Sequence, residues 1–428
     1  MDGPRSNATT GLVLTGGGAR AAYQVGVLKA VARIRREVGA PRGNPFGVIT
    51  GTSAGAINAA ALACHADRFD LAVAGVVNIW RHFSADQVYR ADAFGVVRTG
   101  ARWLTMLTIG WAIARWRRAR PRSLFDNDPL AELLHKVVHF ERLPGLLREG
   151  HLRALAITGS SYSSGDHVTF CQTARPFEPW LRSQRVAVPS TIGVQHLMAS
   201  SAIPFVFPAV QLDLAGRGEW FGDGSMRQSA PLSPAVHLGA ERILVIGAGR
   251  MNEPAGRHVL SDGYPSLAQI AGHALSNIFL DALAVDVERA QRINRTLALL
   301  DAKSRAHTPL KPLEVLVIAP SQRLDDIAAR HLHNLPTAVR TMLRGVGVGS
   351  ERAEVRGGAA LASYLLFEAP YTRELIELGA ADTLARRDEV IAFFDWPTKT
   401  VPREQREAWS ATEAGGLECP TDMAPLGN

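Results

Sequence analysis

The sequence predicts a three-layer α/β fold: a central, mainly parallel sheet flanked by helices, followed by a mostly helical C-terminal extension. Three observations point there. Two short apolar runs each end in a glycine-bearing turn and pass directly into a helix-forming stretch, further strand-length apolar runs recur, and long periodic stretches fill the C-terminal part. Strand, turn and helix, twice in succession, is the pattern of parallel strands joined by crossover helices.

Gly11–Leu14 is the first run; it ends in Thr15-Gly16-Gly17-Gly18, and Ala19–Val38 then reads as a helix. Phe46–Thr50 is the second, ending in Gly51-Thr52-Ser53-Ala54-Gly55, with alanine-rich Ala56–Cys64 continuing as a buried helix. Further strands are expected at Leu152–Thr158, Val168–Gln172 and Arg242–Ile246. Asp126 to Leu130 reads as a turn that caps a helix over Leu130–Val138, because proline suits the first helical turn. One long helix is expected from Pro265 to about Ala306, then a strand at Leu313–Ile318 that stitches the extension into the sheet, then helices over Asp325–Leu343 and Tyr371–Ala385. The expected organisation is a core over 1–250, with an arginine-rich insertion at 93–125, a mostly helical extension over 251–403, and a loose polar tail over 404–428.

Composition narrows the function classes. A chain of 428 residues, 46% apolar and 20% charged, is ordinary for a globular protein and can bury a full core. Three cysteines are too few and too scattered for a disulfide framework or a zinc site, and no histidine spacing or Asp-rich loop suggests a metal; none is expected, nor any cofactor. Met1 to Thr10 is polar rather than basic-then-apolar, so a cytoplasmic location is expected. All of the net +7 falls between Ala93 and Phe125, where seven arginines occur without one Asp or Glu. Nucleic-acid binders spread basic residues over a domain face, so no nucleic-acid partner is expected. Trp103–Ala114 is an uncharged run of 12 residues bounded by Arg102 and Arg115, too short to span a bilayer. It reads either as an interfacial flap, giving peripheral membrane contact through 98–122, or as a core helix with a solvated charged end.

Three motifs carry chemistry. Gly51-Thr52-Ser53-Ala54-Gly55 fits G-x-S-x-G, the nucleophile elbow, in the strand-to-helix context it requires. A serine hydroxyl is a useful nucleophile only when held exposed and close to a base; the competing reading is a small-residue packing turn. Gly16-Gly17-Gly18-Ala19-Arg20 can turn several backbone N–H groups onto one oxygen, as an oxyanion hole does. A dinucleotide-binding turn competes, with Glu37 near the ribose-binding position, although Ala21 stands where its last glycine belongs. Trp220 to Ser225 sets Asp223 among glycines in an expected loop, where the plain reading is an Asp-Gly turn.

Together these motifs resemble the patatin-like phospholipase family, in its bacterial form, from about Gly11 to Gly247. Ala22–Leu28, Met198–Pro208 and Asp223–Gly239 add to the likeness. The resemblance implies a patatin-like fold and hydrolysis of acyl esters of phospholipids or lysophospholipids through a Ser–Asp dyad. Ser53 would attack and Asp223 would accept its proton; Gly16, Gly17, Gly18 and the amide of Ala54 would hold the oxyanion. Arg20, Gly51, Gly55, Gly224 and Ser225 would support the motifs, Arg20 either touching phosphate or bracing its loop. Ala21 and Ser225 depart from the family's glycine and D-G-[GA] patterns, each by a small residue. A hydrolase of soluble esters or thioesters, a lipid-binding regulator, and a triad completed by His237 stay open.

Overall fold

The computed structural model describes residues 8–90, 123–214, 216–251, 267–345 and 352–397. Most of the arginine-rich insertion, including the run Trp103–Ala114, and the expected tail lie outside the described residues. Among the described residues ten strands form one sheet: β1 (Thr10–Leu14), β2 (Val48–Thr52), β3 (Ala154–Ser161), β4 (His167–Thr173), β5 (Leu181–Arg182), β6 (Arg185–Pro189), β7 (Val210–Leu214), β8 (Arg217–Asp223), β9 (Arg242–Ile246) and β10 (Glu314–Ile318). The order is β10-β9-β1-β2-β3-β4-β6-β5, with β8 pairing β3 and β7 pairing β8.

The sheet is mixed. From β10 through β9, β1 and β2 to β3 every pairing is parallel, whereas β4 and β8 both run antiparallel to β3. β2, β3 and β9 are buried along their whole length and β1 from Gly11 onward, which is why they read as continuous apolar runs rather than alternating ones. Their side chains still divide between two faces. Leu12, Leu14, Ile49, Leu155, Ile157, Leu244 and Ile246 join the larger core, and Val13, Val48, Ala154, Ile243 and Val245 the smaller. On the larger side lie α1 (Ala22–Glu37), α2 (Ala54–Ala63) and α3 (Phe69–Arg81), with the helix Ala369–Ala385 against α1. The smaller side is covered by the helices Ser233–His237 and Leu267–Ala298.

β9 falls where the sequence places it, and β10 pairs in parallel with it, so the region after residue 250 supplies an edge of the same sheet. β2 runs Val48–Thr52 instead of Phe46–Thr50: Phe46 precedes the strand and packs edge-on against Phe69 and Phe394, at 5.9 and 5.7 Å. A 3₁₀ turn over Gly18–Ala21 precedes α1, and α2 begins at Ala54, directly after the serine. The long C-terminal helix stops at Ala298, because Asp301 caps a separate helix, Ala302–Ala306, by accepting from the Ser304 N–H at 2.7 Å. Pro336 divides the single helix expected over Asp325–Leu343 into Leu324–His331 and Thr337–Gly345. The helix near 130 covers Asp128–Val137, with Pro129 in its first turn. Among the described residues no helix is long and apolar enough to cross a membrane.

Candidate active site

β2 ends at Thr52 and α2 begins at Ala54, so Ser53 alone makes the turn between them. Its φ of 56° and ψ of −131° lie where a residue with a Cβ is strained. Two contacts hold it: its N–H donates to Ser200 Oγ at 2.9 Å, and its carbonyl accepts from the Ala56 N–H at 2.8 Å. The flanking glycines are steric necessities. A Cβ on Gly51 would collide with the first turn of α2, and one on Gly55 with the carbonyls of Leu14 and Thr15.

Asp223 is the last residue of β8, not part of a loop as its glycine neighbours suggested. The pairing of β3 explains how it reaches Ser53. Along one edge of β3, Thr52 of β2 stands opposite Thr158, and the next position, Gly159, is opposite Asp223 of β8. β2 and β8 therefore meet end to end on the same edge, and the residue after Thr52 lands on Asp223. Ser53 Oγ donates to Asp223 Oδ2 at 2.6 Å, and the Ser225 N–H donates to Oδ1 at 2.8 Å. Burial pushes the Asp223 carboxyl up to about 6, against the hydrogen bonds from Ser53 and Ser225, which favour the ionised form. At neutral pH the carboxylate is thus ionised and a far better proton acceptor than an exposed aspartate.

The glycine turn lies beside this pair. Gly18 lines the same cavity as Ser53 and Ala54. Its φ of 54° and the carbonyl of Tyr364, pressed where a Cβ would be, leave room for glycine alone. Among the described residues the N–H groups of Gly16, Gly17, Gly18 and Ala54 have no acceptor. Those of Gly18 and Ala54 open helical turns, and Gly16 and Gly17 lead into the first of them. Arg20 points away from the cavity: its Nε donates to Ser363 Oγ at 2.7 Å, its Nη2 pairs with Asp325 and reaches the Ala360 carbonyl at 3.3 Å, and it stacks over the Tyr364 ring at 4.0 Å. This arginine braces its loop.

An apolar cavity leads inward from Ser53. Ile57 and Ala61 of α2, Val76 and Trp80 of α3, Leu134 of the helix Asp128–Val137 and Val138 just after it give it an aliphatic and aromatic wall. Gly224 is packed against Thr158, and burial lowers the nearby His167 imidazole to about 4, which keeps it neutral. Ser200 and His167 escaped the sequence reading. Ser200 sits inside the family-like stretch Met198–Pro208, but nothing local marks a serine that receives an N–H 147 positions away. His237 ends a short helix, with its ring stacked on Trp180 at 4.7 Å, and is not among the hydrogen-bond partners of Asp223. Glu37 is engaged by Arg33 at 2.8 Å and by Arg387 at 3.4 Å.

Comparison with known proteins gives a family match: a model of the family described as patatin-like phospholipase covers residues 12–236. Two solved structures are similar at low identity. VipD from Legionella pneumophila is 14% identical over 87% of this chain and 67% of its own, with a TM-score of 0.30. The type III effector protein ExoU is 15% identical over 97% of this chain and 94% of its own, with a TM-score of 0.26. Superpositions that loose carry no weight for the site. No curated protein matches the sequence significantly.

Proposed function

The chain belongs to the patatin-like phospholipase family, and on that premise we propose that it is a serine esterase acting on acyl esters of phospholipids or lysophospholipids through an acyl-enzyme on Ser53. The observation that carries this reading is the 2.6 Å hydrogen bond from Ser53 Oγ to the buried Asp223 carboxylate at the mouth of an apolar cavity.

In this reading Ser53 Oγ attacks the ester carbonyl carbon while its proton passes to Asp223 Oδ2. The carbonyl oxygen becomes an oxyanion facing the free N–H groups of Gly17, Gly18 and Ala54, with Gly16 adjoining. Preorganised donors of this kind each contribute about 3 kcal/mol to the transition state. Collapse breaks the bond to the alcohol, which leaves with the proton from Asp223. Water then gives its proton to Asp223 and attacks the acyl-enzyme; a second collapse frees the acid and returns the proton to Ser53. The apolar cavity supports a lipid acyl group over a small polar one, since it offers a methylene chain about 0.8 kcal/mol per buried CH₂.

The test is Ser53→Ala against wild type, read by fluorophosphonate labelling and by lipid mass spectrometry after incubation with a mixed phospholipid extract. Wild type should be labelled and should release fatty acid, and the variant should do neither while keeping its thermal melt. Labelling that persists in Ser53→Ala would assign the chemistry to another serine.

A further inference from the structure

The cavity behind Ser53 changes chemistry at a definite depth. Its α2 wall is formed by Ala54, Ile57, Asn58 and Ala61, a spacing that lines them up on one helix face. Eight residues of helix at ~1.5 Å each put the level of Ala61 about 12 Å beyond Ser53. Asn58 does not interrupt the apolar wall, since its side chain is already occupied. It donates to Gln24 Oε1 at 3.1 Å and to the Ala21 carbonyl at 3.3 Å, and it accepts from Trp80 Nε1 at 2.9 Å.

Past Ala61 and Val138, the last lining residues of their two segments, the chain turns polar on both. The next residue along that line is His65, whose Nδ1 lies 3.1 Å from the Ala61 carbonyl and whose ring packs edge-on against His139 at 5.6 Å. On the opposite wall Val137 and Val138 line the cavity, and His139 follows them directly. Behind the imidazoles, Arg142 donates to the Cys64 carbonyl at 3.0 Å and to both oxygens of Asp67 at 3.0 and 2.8 Å. A methylene chain driven past Ala61 would have to strip this cluster of its polar neighbours, which costs free energy instead of releasing it.

We propose that the cavity is a ruler for the acyl group, with Ala61 and Val138 as its stop. An extended chain advances about 1.2 Å per bond, as extended backbone does, so about 8 to 10 carbons fill the depth. The acyl group selected is therefore of medium length, whatever alcohol it is esterified to. This inference rests on Ser53 carrying the acyl group.

The experiment measures kcat/KM of the full chain on monomeric p-nitrophenyl esters with acyl chains from butanoyl to hexadecanoyl. It compares wild type, Ala61→Leu and Val138→Leu, each checked for folding by its thermal melt. Wild type should peak at about 8 to 10 carbons and fall at least about tenfold by 14, since a single misfitting methylene already costs about 10-fold or more. Each folded variant should move the optimum toward shorter chains and lower the decanoyl-to-butanoyl ratio by about tenfold. The two substitutions act from opposite walls, so one variant that fails to fold leaves the other to decide. A wild-type profile that stays level or rises to hexadecanoyl overturns the ruler, as does an optimum unmoved in the folded variants. Absence of hydrolysis of every ester, together with absence of fluorophosphonate labelling, would instead overturn the hydrolase reading itself.

Discussion

At Asp223 the needs of chemistry and of stability oppose each other. Burial raises its pKa from 3.8 to about 6, which improves it as a base and makes its ionised form costly to fold. The acid limb of kcat/KM should accordingly have its midpoint near 6, with activity rising to a plateau above it; a limb near 4 would mean an exposed carboxylate serves as base. The stability consequence has the opposite slope. Between the unfolded value and the folded one the native state holds the extra proton, so stability falls as pH rises from 3.8 to about 6 and is then level. The gap corresponds to about 3 kcal/mol. Asp223→Asn should lose this component of the pH dependence in denaturant unfolding and lose kcat by several orders of magnitude; an unchanged slope would place the titration elsewhere. Ser53, Asp223 and the glycines were legible because each sits in a short local motif. Ser200 and His167 were not, because their roles exist only once elements far apart in the chain, 147 positions for Ser53 and Ser200, are side by side. His167 illustrates this: it stands opposite Ser160 in β3, which in turn faces Gly222 of β8.

At the scale of elements, the glycine turn depends on helices far down the chain. Arg20 is 3% exposed in its side chain and pairs with Asp325, which is 22% exposed. Arg20→Met should cost about 2–3 kcal/mol in denaturant unfolding, the partial exposure of Asp325 keeping it below the range for a fully buried broken pair. It should lower kcat more than it raises KM, because the turn it braces would bear on the transition state. A raised KM with unchanged stability would return Arg20 to the role of a phosphate contact. Element boundaries were legible where punctuation is strong, as at Arg242–Ile246, and were misread where two signals competed. Asp301 and Pro336 break periodic stretches that hydrophobic spacing alone runs together. The hairpin β7–β8 was missed because it carries Gly218 and Gly222 and leaves Trp220 46% exposed, so its alternation is weak.

For the whole molecule, the question is whether residues 1–250 form a unit. We propose that this catalytic core needs the remainder to fold. α1 meets the helix Ala369–Ala385 so closely that a Cβ on Gly26 would strike the Ile376 carbonyl, and one on Gly379 the Tyr23 carbonyl. Without residues beyond 250 that face of α1 would be bare and β9 would become an open edge. A fragment ending at 250 should show no cooperative melt and no fluorophosphonate labelling. A fragment that melts cooperatively and labels would make the remainder an accessory domain. That β1 and β2 pair in parallel was legible from strand, turn and helix following one another twice. Their order was not, since nothing local says that β1 lies between β2 and β9.

The clasp on the glycine turn also sets a timetable. Arg20 and Ser363 are separated by 343 positions, which at about 5–20 residues per second takes the ribosome roughly 17–70 s to cover. For most of that interval the serine and its elbow are already made, yet the turn beside them has no Tyr364 carbonyl and, until near its end, no Asp325 to lean on. A chain built this way can complete its glycine turn only once the segment from Asp325 to Tyr364 has been made.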